Sequence, residues 1–125
     1  MWIEFNNNPI RKTTGDCVIR ALSKALGKPW EKIYLDLFFE GLKMYDLPNS
    51  NAVWDSYLRQ NGYERHGIPN TCPDCYTIED FTNDNPYGRY IVATGTHVVP
   101  VIDGDIYDFW DSSGEVATYY YAESE

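Results

Sequence analysis

The chain has 125 residues, a formal net charge of −9, eleven Tyr and four Trp. A chain of this length buries one core without staples and leaves little room for a second, so a single domain over residues 1–125 is expected. The acidic balance repels phosphate backbones and argues against nucleic-acid binding, and no apolar run approaches membrane-spanning length.

Residues 1–5 read as a short strand, and Asn6 to Gly15 as a polar loop. Apolar residues then fall at Val18, Ala21, Leu22, Ala25 and Leu26, the spacing of a helix with one buried stripe, which Gly27 ends. A second helix starts near Pro29, carries Trp30, Ile33, Tyr34, Leu37 and Phe38 on one face, and runs to about Tyr45. Pro48-Asn49-Ser50 opens a third, with Val53, Trp54, Tyr57 and Leu58 inside, and Asn61-Gly62 stops it. Residues 63–76 read as irregular. Thr77-Ile78-Glu79-Asp80 resembles a capping box and predicts a short helix to about Thr82.

The remainder reads as strands: Tyr90 to Ala93, a hairpin of His97–Ile102 and Ile106–Trp110 turned at Asp103-Gly104, and a last strand from Val116 to Tyr121. Pro100 inside the hairpin implies an edge position or a local irregularity. Helices first and strands later predict an α+β fold, with N-terminal helices packed on a C-terminal antiparallel sheet.

Three cysteines, Cys17, Cys72 and Cys75, make a poor disulfide framework. The N-terminal residues carry no basic-then-apolar pattern of a signal peptide, so free thiols in a reducing cytoplasm are expected. Cys17 stands just before the first buried position of the first helix. Unpaired N–H groups and the positive end of the dipole favour its thiolate there and offer donors for an oxyanion. Gly15 lets the chain turn sharply and leaves room for substrate. Of the two histidines, His66 reads as a surface residue. His97, at a strand start, can be held by the sheet while its ring reaches the sheet's end, which suits a general base.

A Cys–His pair gains from a third group that fixes the imidazole. Asp108 and Asp111 both follow on the return strand. A two-residue turn at Asp103-Gly104 sets His97 opposite Trp110 with Asp108 diagonal on the same face; a three-residue turn sets it opposite Asp111. The residues leave that choice open.

Asp16-Cys17 at a helix start, His97-Val98-Val99 at a strand start and Trp110-Asp111-Ser112 at the next strand's end resemble the papain-like cysteine peptidase superfamily, in that superfamily's chain order. The layout is most similar to small papain-fold proteins of Gram-positive bacteria and their phages, and to bacteriocin-processing leader peptidases. The resemblance implies Cys17 as nucleophile, His97 as base and Asp111 as the orienting acid, with Asp108 the alternative. It also implies a Gln about six residues before the Cys. Arg11 stands there, leaving Asn6, Asn7, Asn8, Lys12 or Thr14 to complete the oxyanion hole.

Cys72-Pro73-Asp74-Cys75 has half a zinc site's spacing, with His66 as a weak third candidate; no metal and no cofactor are expected. The expected activity is thiol hydrolysis of an amide in a peptide or protein, with Trp54, Tyr90, Trp110 and Tyr119 available to line a groove. The alternative is a catalytically weak or inactive papain-fold protein of phage or bacterial origin that binds a host protein through its acidic surface.

Overall fold

The computed structural model describes residues 1–124. In chain order the elements are β1 (Trp2–Glu4), α1 (Cys17–Leu26), α2 (Trp30–Met44), α3 (Asn51–Gln60), β2 (Tyr63–Gly67), α4 (Ile78–Asp84), β3 (Arg89–Ala93), β4 (Val98–Ile102), β5 (Asp105–Asp108) and β6 (Tyr119–Glu123). The fold is α+β. Its six strands form one sheet in the order β1-β5-β4-β3-β6-β2. All neighbours are antiparallel except β1 on β5, so the sheet is mixed rather than purely antiparallel.

Both sheet faces are covered, as the alternation along β3 requires. Ile91 and Ala93 join Val98 and Tyr121 under Leu22, Ile33, Leu37, Trp54 and Leu58 of α1, α2 and α3. Val92 faces the other way, with Val99, Val101 and Ile106, against Ile78 and Phe81 of α4. The capping box that opens α4 is present: Thr77 accepts from the Asp80 N–H at 3.1 Å, and Asp80 from the Thr77 N–H at 3.0 Å.

Three expectations need correction. Residues 63–67 are not irregular but form β2, held along β6 from Tyr63↔Glu123 to Gly67↔Tyr119. Only Tyr63 of β2 is buried, so its polar residues gave no period-two signal. The last strand begins later, at Tyr119, and Val116 makes an isolated bridge to Thr77. On α2 the buried stripe is Ile33, Leu37, Glu40 and Gly41, which leaves Tyr34 and Phe38 exposed.

The hairpin turn has two residues, Asp103 and Gly104, both in the left-handed region at φ 50° and 80°, and closes on Ile102↔Asp105. That conformation matches the twist of the flanking strands, and Gly104 adopts it without a Cβ penalty. Pro100 is not on an edge, because β4 lies between β3 and β5. Period two turns the Pro100 nitrogen toward β5, and pairing of β4 with β5 stops at Val101↔Ile106, one residue short of it. Tyr107 and Asp108 pair instead with Ile3 and Glu4 of β1.

Candidate active site

Helix α1 begins at Cys17, and its N-cap residue, Asp16, makes no capping hydrogen bond. The Asp16 carboxylate turns away from the helix end. It accepts from Arg20 one turn on, and from the Trp30 indole at 2.9 Å. A missing side-chain cap costs about 1 kcal/mol, and it leaves the first N–H groups of α1, that of Cys17 among them, without an intrahelical partner.

His97 ends the β3–β4 connection. The Thr94 hydroxyl accepts from the His97 N–H at 3.0 Å, and the Thr94 N–H donates to the His97 carbonyl at 2.8 Å. The ring is packed on Trp110, with centroids 4.3 Å apart and planes 28° from parallel. Nε2 lies 2.6 Å from Asp108 Oδ2. An ionised carboxylate has only lone pairs to offer, so Nε2–H donates and Nδ1 is left for a second partner. Cys17 lies close enough to the ring for each to shift the other's ionisation. The Phe109 N–H donates to Asp108 Oδ1 at 2.8 Å, and Arg20 Nη2 stands 3.8 Å from the same oxygen.

These contacts form a buried chain of alternating sign: Asp16, Arg20, Asp108, His97, Cys17. The first four are each 7% exposed or less, and Cys17 is half-buried. Arg20 also lies over the Phe109 ring at 4.4 Å. Burial pushes the Cys17 thiol up, but the His97 hydrogen bond and charge, the Val98 N–H and Arg20 together bring it below its ordinary value. Burial opposes the His97 cation, yet the Asp108 carboxylate and Cys17 raise it to about 9. Both shifts run in the direction that favours thiolate beside imidazolium.

The structure thus brings Cys17, His97 and Asp108 together and leaves Asp111 outside. Asp111 is exposed and its Oδ1 accepts from the Ser113 N–H at 3.1 Å, which holds its carboxyl below the usual range. The physical reason is the two-residue turn: it fixes the register that sets Asp108 diagonal to His97, and β5 ends at Asp108. Arg20 and Trp30 were missed as partners of this site. A basic residue at the fourth helical position after an Asp was the available signal.

The upstream amides are engaged elsewhere. Asn6 Oδ1 accepts from the Asn8 N–H, and Asn8 Oδ1 from the N–H groups of Ile10 and Lys12, so both tie the loop. Asn7 Nδ2 donates to Ser23 Oγ at 2.7 Å, well down α1 from Cys17. Of the four groove aromatics, Trp110 meets the site. Trp54 is buried against Tyr119 and Tyr121, and Tyr90 packs on Phe81. A cavity of about 230 Å³ at the start of α1 is lined by Gly15, Asp16, Val18, Ile19, Tyr34, Leu37, Pro48 and Asn49, and Cys17 is not among its lining residues.

Cys72 and Cys75 are joined in a disulfide, contrary to the expected free thiols. Thr71 Oγ1 donates to the Asp74 carbonyl and the Cys72 N–H to Asn70, folding the loop so that the two Cα atoms stand 4.1 Å apart. His66 stacks on Tyr120 at 5.1 Å. Among the described residues, no group of three or more His, Cys, Asp or Glu side chains could hold a metal, and no helix is long and apolar enough to cross a membrane. No family model matches the chain, and neither a curated protein nor a solved structure matches it.

Proposed function

We propose that the chain is a cysteine hydrolase of papain-like type that cleaves an amide bond in a peptide or protein. The observation that carries this reading is the continuous relay from Asp108 through His97 to the half-buried thiol of Cys17, which ends at an uncapped helix N-terminus. In this mechanism the Cys17 thiolate attacks the scissile carbonyl carbon, and the carbonyl π pair moves onto oxygen. The Cys17 N–H donates to that oxyanion, a contact of the kind worth about 10²- to 10³-fold in rate. As the tetrahedral centre collapses, the imidazolium Nδ1 of His97 gives its proton to the leaving amine and a thioester remains. Water then attacks the thioester while Nδ1 takes its proton. Collapse releases the acid and returns the sulfur as thiolate opposite imidazolium. Asp108 keeps the proton on Nε2 throughout.

The test is labelling with a peptide-like thiol-reactive amide mimic. Cys17 should label fast at neutral pH, and His97→Ala should slow it by about 10²-fold or more. Labelling at the rate of a free thiol would end the reading.

A second reading, a binding protein of phage or bacterial origin on a papain-type scaffold with little activity, draws on the amide donors of Asn6 and Asn7, which are given to the Lys12 carbonyl and to Ser23 Oγ rather than to an oxyanion. Full biological effect in Cys17→Ala would favour it.

A further inference from the structure

Asp16 occupies the N-cap position of α1 without capping it. Its ψ of 24° is not the extended value of a capping residue, and its side chain makes no bond to the helix end. The residue is 5% exposed, and both carboxylate oxygens are engaged inside the molecule. Oδ1 accepts from Arg20, and Oδ2 from the Trp30 indole at the start of α2.

Arg20 is 3% exposed and has a carboxylate on either side. It hydrogen-bonds Asp16, but its Nη2 stands 3.8 Å from Asp108 Oδ1, too far for a hydrogen bond. A guanidinium that faces a buried carboxylate ordinarily closes on it with two short, parallel bonds. Here it does not. Asp108 gives Oδ1 to the Phe109 N–H at 2.8 Å and Oδ2 to His97 Nε2 at 2.6 Å. Closure of Arg20 onto Asp108 would set the guanidinium against both of these donors and turn the carboxylate off the ring. How fully Asp108 serves His97 therefore depends on where Arg20 is held. Its stacking over the Phe109 ring at 4.4 Å fixes the plane of the guanidinium, and Asp16 fixes its reach.

We propose that Asp16 is a positioning residue: tied to Trp30, it holds Arg20 at ion-pair distance from Asp108 and so leaves the Asp108 carboxylate to orient His97. Its effect on rate rests on the hydrolase reading of Cys17; its effect on the Asp108–His97 bond does not. Proton NMR of the full chain should show the His97 Nε2–H far downfield, as a charge-assisted bond of 2.6 Å requires. Asp16→Asn weakens the acceptor for Arg20 and sets an amide donor against the Trp30 indole. The resonance should move upfield, and Cys17 labelling should slow by at least about tenfold. Trp30→Phe changes no charge and should move both in the same direction by less. Asp16→Asn/Arg20→Gln also removes the released cation and should recover the labelling rate to within about threefold of wild type, a departure from additivity that marks coupled residues. An unmoved resonance in either single variant, or a double variant no faster than Asp16→Asn, overturns the inference. A wild-type chain that labels at the free-thiol rate while the resonance still responds overturns the hydrolase reading alone.

Discussion

Two regions of this molecule bear sulfur, and they differ in how their chemistry arises. At Cys72–Cys75 the partners are three residues apart, and the disulfide follows from a tight loop whose bonds are all local. At Cys17 nothing local suffices. The thiol takes its character from His97, eighty positions on, and His97 from Asp108, which is in turn close to Arg20 on the thiol's own helix. A local pair shows in the sequence as spacing and does little beyond holding a loop. A nonlocal relay shows only when the sheet register is known, and here it shifts the ionisation of Cys17 and His97.

That contrast can be broken by mutation. The largest effect is expected at Asp108. Asp108→Asn should slow Cys17 labelling by about 10²- to 10⁴-fold, since the amide no longer holds Nε2–H and orients the ring. Arg20→Met comes next. It leaves the Asp16 and Asp108 carboxylates buried without their cation, and chemical denaturation should register a loss of about 3–5 kcal/mol. At the other region, Cys72→Ser/Cys75→Ser should cost at most about 2 kcal/mol, the chain-entropy value for so short a loop, and should leave the rate at Cys17 unchanged. The smallest effect belongs to Asp111→Asn, within about twofold in rate, as for a surface change away from packed features. If Asp111→Asn and Asp108→Asn exchanged places, the two-residue turn would be the wrong account of the hairpin.

Much of the fold was legible because its signals are local. The apolar spacing from Val18 to Leu26 and the Gly27 stop predicted α1. The Thr77 to Asp80 box predicted α4, and Asp103-Gly104 predicted the hairpin. β2 was hidden because it buries only Tyr63 and relies on β6 for its pairing. At the site, Cys17 and His97 were readable from where they sit on their elements. The acid was not, because the choice between Asp108 and Asp111 depends on turn length, and the turn dipeptide fits either. The resemblance pointed to Asp111; the register of Ile102↔Asp105 selects Asp108. The Asp16 to Arg20 spacing was legible, but the tie from Arg20 to Asp108 was not, because Asp108 lies on β5.

The thiolate–imidazolium pair is the claim on which the rest turns, and the pH dependence of Cys17 alkylation tests it. A thiol lowered by its partner keeps its thiolate to a lower pH than a free thiol does. A His97 raised to about 9 keeps its proton until the pH rises through that value. The wild-type midpoint should therefore lie below that of a free thiol, about 8.5, with a second change near pH 9, while His97→Gln should raise the midpoint to the free-thiol value or above, because burial of the sulfur remains. A wild-type midpoint already at the free-thiol value, and unmoved by His97→Gln, would contradict the pairing.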